Sequence, residues 1–247
     1  MISRLLNFTG FDTTANTLAF LFKEIAIHKD EQIKLRQAIL NSTSLDAARS
    51  CLAVKNAIKE TLRLHPAAAC GSMRKVQRAM SIEGSPYVIP SGSRVISNFY
   101  SIHRNPDVYT KPDDFSPDRW INATDRMMKA YMPFAQGKRN CQGQALAYTE
   151  MEIIVARVLE RFEFSIHEEG VTACPILHHP VGLLLKAKPV ETNNTTSLSL
   201  SRNLNPLGLE ESLPKKTLTP SKVLRQQTTP FPDEDDDDSF EVLDEIP

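Results

Sequence analysis

The sequence has no apolar run approaching the roughly 20 residues that a membrane-spanning helix needs, which argues against a membrane span. Its start, Met1 to Phe8, lacks the long apolar core of a secretory signal, so no anchor and no recognisable address are expected. Cysteine is scarce. The four at positions 51, 70, 141 and 174 show no paired spacing, which argues against both a zinc site and a disulfide framework and suits a reducing compartment. Neither charge dominates, since the net is −1, and nucleic-acid binding is not expected. Internal repeats are absent as well. Hydrophobic content of 41% and charged content of 24% are ordinary for a soluble globular chain, and 247 residues hold one large domain or two small ones.

What charge there is lies unevenly. From Val190 onward there are 12 acidic and 5 basic residues, a net of −7; because the whole chain is −1, the first 189 residues carry +6. A moderately basic body suits an acidic partner surface. The last 58 residues are rich in Ser, Thr, Asn and Pro and contain an unbroken acidic run from Asp233 to Asp238. Such a segment buries too little apolar surface to offset its ordering entropy, so residues 190–247 are expected to be a disordered tail.

The chain is organised around residues 133–143, Pro-Phe-Ala-Gln-Gly-Lys-Arg-Asn-Cys-Gln-Gly. Cys141 lies just ahead of an apolar-periodic stretch that reads as a helix from about Gln144. A thiol facing the unpaired N–H groups and positive end of a helix is favoured as the thiolate, the form that ligates metals. Gly137 and Gly143 allow a tight turn and close approach to a flat ligand, and Arg139 suits a carboxylate on it. By itself the segment fits equally a small buried hydrophobe beside a basic turn. The spacing, however, resembles the haem-binding signature of the cytochrome P450 family, with Phe134, Gly137, Arg139, Cys141, Gly143 and Ala147 in its fixed places. That resemblance implies haem b held by Cys141 as the iron's axial ligand, with Phe134, Gly137, Arg139 and Gly143 around it.

Three further stretches occur in the family's order. Residues 2–27 read as a helix interrupted by Thr9-Gly10-Phe11-Asp12-Thr13-Thr14, poor helix formers whose hydroxyls compete for carbonyls one turn back. The cluster resembles the family's distal-face motif, which implies that Thr13 holds dioxygen and its bound water and that Asp12 helps relay protons. Thr9 departs from the usual small residue there. A third helix over 45–64, after one over 30–40, carries Glu60 and Arg63 three apart on one face, flanked by Ile58, Leu62 and Leu64. Spacing alone fits a surface ion pair; the apolar flanks point to a buried helix. With Pro117-Asp118-Arg119 in the proline-rich connection 104–120, the resemblance implies one buried network of Glu60, Arg63 and Arg119. Between them, 87–89 and 94–96 read as a hairpin through Pro90-Ser91-Gly92-Ser93. The family places a propionate-binding arginine at Arg74, and residues 67–72 correspond to a pocket-lining segment of small side chains.

The expected fold is mainly α with small antiparallel β sheets (α+β), the C-terminal half of the cytochrome P450 fold, with a partial haem domain over 1–189 and the tail over 190–247. Residues 144–162 give its last long helix, with Leu146, Met151, Ile154, Val155, Val158 and Leu159 on the apolar side. The resemblance implies a monooxygenase that inserts one oxygen atom of O2 into a small apolar organic substrate, with electrons from NADPH through a flavoprotein reductase. A full-length eukaryotic member would sit on the cytosolic face of the endoplasmic reticulum membrane; without an anchor this chain would be cytoplasmic. The alternative is a non-catalytic fragment acting as a protein-interaction module. A third idea, a cysteine hydrolase pairing Cys141 with His103 or His178, needs a base aligned with the thiolate.

Overall fold

The computed structural model describes residues 10–71, 73–173 and 178–190, all within one unit, Met1–Leu204. The expectations for residues 2–9, Thr9 included, for Cys174 and for the tail after Val190 lie outside the described residues.

Four helices come first: α1 (Asp12–Ile27), α2 (Lys29–Leu40), α3 (Leu45–Ser50) and α4 (Leu52–Leu64). The 45–64 helix of the sequence reading is thus two helices. Cys51 between them is extended (φ −64°, ψ 149°), ending α3 and starting α4. Ser44 caps α3 by accepting the Ala47 N–H. Ahead of α1, Gly10 and Phe11 are wound as a wider π-type turn. Thr14 donates to the Gly10 carbonyl and Thr17 to that of Thr13, the one-turn-back competition expected of hydroxyls here.

Short strands follow: β1 (Arg74–Lys75), β2 (Met80–Ser81), β3 (Val88–Ile89) and β4 (Arg94–Val95). The expected 87–96 hairpin does not form. β3 pairs antiparallel with β2, and β4 with β1. Gly92, at φ +86°, turns the chain so that its N–H reaches the Val76 carbonyl, while the Val76 N–H reaches Ser93. The turn therefore docks on an earlier segment instead of closing on itself.

After α5 (Phe99–Ile102) the connection runs through a 3-10 turn at Pro117–Trp120 to α6 (Asp125–Ala130), the cysteine loop and α7 (Gln144–Arg161). Strands β5 (Phe162–Glu168) and β8 (Leu184–Pro189) pair antiparallel, as do β6 (Val171–Ala173) and β7 (His179–Val181).

The core sits where α1, α2, α4 and α7 meet, around Leu21, Ile25, Ile39, Val54, Ile58, Met151, Val155 and Leu159. Each such side chain contributes about 1.5–3 kcal/mol on burial. Helix α7 buries Met151, Val155, Ala156 and Leu159. Leu146 and Ile154 of the expected apolar side are exposed, because they lie off the stripe that meets the other helices. Buried Gln32 fastens β5 to this core: its amide nitrogen donates to the Ile25 and Phe164 carbonyls, and its oxygen accepts the Phe164 N–H.

Candidate haem-binding cleft and its buried frame

Helix α4 places Glu60 and Arg63 one turn apart, both 0% exposed. The Glu60 carboxylate accepts from Arg63 Nε (3.0 Å) and Nη2 (2.8 Å), Arg119 Nε (2.8 Å), the Ser116 N–H (3.0 Å) and Trp120 Nε1 (2.9 Å). Arg63 spends its other donors on the carbonyls of His103, Pro112 and Asp114. All five guanidinium N–H groups are therefore matched. Arg119 also holds the carbonyls of Thr110, Lys111 and Asp114, and so stabilises Lys111 at φ +47°. The network joining Glu60, Arg63 and Arg119 is present as expected, and Trp120 and Ser116, which sequence spacing did not single out, complete it.

His103 carries this frame to the cysteine loop. Its carbonyl accepts from Arg63, and its Nε2 accepts the Met132 N–H at 3.0 Å. Burial lowers its pKa from 6.5 to about 4, so the ring is neutral at physiological pH and free to accept. Its Nε2 is thus engaged by the backbone. Neither His103 nor His178 lines the cleft that holds Cys141, so the geometry does not supply the aligned base a cysteine hydrolase needs.

The loop between Met132 and Gly143 is set by two left-handed residues, Ala135 (φ +59°) and Gly137 (φ +79°). The Cys141 N–H donates to the Phe134 carbonyl at 2.9 Å, closing the loop on itself. Phe134 packs against Tyr148 (ring centroids 5.2 Å), whose hydroxyl meets that of Tyr131 at 3.0 Å. Gly143 lies beside the sulfur; a Cβ there would come to 3.9 Å of Cys141 Sγ.

Cys141 is exposed and opens on a cleft of about 380 Å³. It is lined by Thr13, Thr14 and Thr17 of α1, by Leu62 and Met151, and by Phe134, Arg139 and Cys141 of the loop. Ala67, Ala68, Cys70 and Gly71 line it as well, the small residues expected there. Asp12 is half-buried on the first turn of α1 and does not line the cleft. Arg74 is exposed in β1, outside the lining, with Nη1 donating to the neighbouring Met73 carbonyl. No group of three or more His, Cys, Asp or Glu that could hold a metal occurs among the described residues. The cleft lining therefore offers a metal two thiols, Cys70 and Cys141, and no fuller protein ligand set. A lining that is mostly apolar, with a thiol at Cys141 and one arginine, suits a flat, anionic macrocycle.

The family profile described as Cytochrome P450 matches residues 2–194. The chain is 31% identical over 197 residues to Cytochrome P450 3A6 of Oryctolagus cuniculus, covering 76% of this chain and 38% of the relative. It is 34% identical over 190 residues to Cytochrome P450 3A5 of Homo sapiens (74% and 37%). To Cytochrome P450 4F4 of Rattus norvegicus it is 34% identical over 197 residues (75% and 37%). It therefore spans little more than a third of the length of these curated relatives. Among the described residues no helix is long and apolar enough to cross a membrane.

Proposed function

The chain belongs to the cytochrome P450 family, and from that premise we propose that it forms the thiolate side of a haem-dependent monooxygenase. The observation that carries the reading is the exposed Cys141 thiol in a mostly apolar cleft that Thr13, Thr14 and Thr17 of α1 also line. Haem b held there would supply an iron at which O2 is reduced by two electrons and two protons, one oxygen atom entering an apolar organic substrate and the other leaving as water.

Each residue has a distinct task in this reading. Cys141 donates its sulfur to the iron, and the backbone bond to Phe134 holds the thiolate in place. Phe134 packs on Tyr148 and supplies the carbonyl that holds the Cys141 N–H, while Gly137 and Gly143 would let the loop approach the cofactor closely. Arg139 pairs with a propionate from within the cleft. Arg74 takes the second by turning its guanidinium away from Met73. Thr13 orients water and passes a proton on the distal side, and half-buried Asp12 resupplies it from solvent. The electron donor is an NADPH-dependent flavoprotein reductase, attracted to the basic body of residues 1–189. A full-length eukaryotic member would work at the cytosolic face of the endoplasmic reticulum membrane.

The test is the absorbance spectrum of the reduced, carbon-monoxide-bound chain supplied with haem, beside Cys141→Ala. A Soret band at the thiolate-ligated position, absent from the variant, supports the reading. Identical spectra, or no haem uptake, sink it for this chain. The competing reading, a non-catalytic interaction module, is favoured by the exposure of Cys141 and Arg139 and gains from the second outcome.

A further inference from the structure

A second cleft, of about 480 Å³, lies on the other side of Cys70, which lines both. His65, Arg104, Tyr100, Thr172 and His178 surround it. Among the described residues six buried side-chain polar atoms lack a hydrogen-bond partner, and three of them belong to these walls: His65 Nδ1, His178 Nδ1 and Arg104 Nη1. Native folds leave few such atoms unpaired, and a cluster of them beside a cleft marks a place for an ordered water, an ion or a small ligand. All three are nitrogens, and they come from the residue after α4, the segment after α5 and the residue before β7.

The cluster is rigidly built. His65 stacks flat on Phe20 (4.2 Å between centroids) while its Nε2 bonds to Glu24 Oε1 at 2.7 Å. His178 is 6% exposed, wedged between Phe20 and Tyr100 (5.4 and 5.8 Å), with its backbone N–H on the Ala67 carbonyl. The Arg104 guanidinium lies 3.8 Å over the Tyr100 ring and uses Nε on Asp113. Neither nearby carboxylate, Glu24 or Asp113, lines the cleft. The charged neighbours that weigh on His178 are His65, Arg104 and His179, all of cationic type.

We infer that this cleft binds an oxyanion, a carboxylate or a phosphate, through Arg104 Nη1, His178 Nδ1 and His65 Nδ1. Arginine supplies the fixed positive charge, and His178 presents an Nδ1–H in the tautomer the anion selects; His65, whose Nε2–H faces the Glu24 carboxylate, donates from Nδ1 only when its ring carries both protons. Burial holds His178 near 4, so its ring is neutral beforehand and an anion would draw its titration upward. The site uses neither Cys141 nor haem, so it stands or falls apart from the proposed function.

The experiment follows the histidine side-chain nitrogen resonances of the full 247-residue chain without haem. It is titrated with inorganic phosphate in one arm and acetate in another, at constant ionic strength made up with chloride. Saturable shifts of His178 and His65 are expected, with affinity falling about tenfold or more in Arg104→Gln and His178→Phe. His178→Phe keeps a ring between Phe20 and Tyr100, and circular dichroism checks that both variants are folded. Lys75→Gln, an exposed β1 residue outside the cleft, should bind as the unaltered chain does. A response to phosphate alone identifies a phosphate site, and to acetate alone a carboxylate site; both support the inference. No response beyond chloride, or undiminished affinity in folded Arg104→Gln and His178→Phe, overturns it.

Discussion

Two arginine sites, at positions 63 and 139, differ in burial and in the use of their donors. At Arg63 the guanidinium is sealed from water and every donor is matched, two on Glu60 and three on carbonyls. At Arg139 the side chain is exposed, on the rim of an open cleft beside an exposed thiol. The first arrangement is complete and has nothing to offer a ligand. The second is held in shape by the first, through His103 and Met132, and keeps its own groups available. Frame and site are thus distinct regions joined by buried His103 and by Trp120, whose ring meets Tyr131 at 4.8 Å.

Cutting the frame should have the largest effect. Glu60→Gln leaves Arg63 buried without a counter-charge and is expected to cost about 3–5 kcal/mol, read from urea unfolding. An unfolding midpoint unchanged from the parent would deny the network its structural role. Acid tests the joint. His103 and His178 are both held near 4 against an ordinary 6.5, so the unfolded chain binds protons first as pH drops. Stability is full above about 6.5, falls as pH is lowered toward 4 and flattens below. His178→Phe should make that decline in denaturation midpoint shallower; an unchanged slope would show that His178 does not titrate this way.

Smaller effects are expected at the site. Gly137→Ala meets no atom within 4 Å but must adopt φ +79°. The strain should cost about 1–3 kcal/mol, visible in thermal unfolding. Were the variant as stable as the parent, the loop would not need its left-handed turn. Least of all, Cys141→Ala should stay within about 0.5 kcal/mol of the parent in the same measurement, because the thiol is exposed. A larger loss would mean that the cysteine is part of the frame after all.

Much of this was legible in the residues. The fixed spacing from Phe134 to Ala147 marked the cleft, and the triplet spacing of Glu60 and Arg63 between apolar flanks marked a buried helix face. His103 was harder to read: a histidine before an arginine in a loop gives no sign that its ring will accept a backbone N–H 29 positions on. The missed hairpin has a similar cause. The strand pattern at 87–96 was real, but which segments pair was settled by the Gly92 turn docking on Val76. For α7, periodicity named an apolar side, yet the neighbouring helices take only part of it and leave Leu146 63% exposed.

By itself, then, the sequence determined the elements and chemical types: helix periods, the thiol at a helix start, the glycine-bearing loop and the family to which these belong. Those depend on interactions within a few residues, which local spacing records. The tertiary structure alone decided that Trp120 and Ser116 complete the Glu60 network. It alone decided that Arg74 faces solvent outside the cleft, and that His65, Arg104 and His178 meet around another. Such meetings depend on how distant elements pack and on which polar atoms burial leaves without water, and no local pattern encodes either.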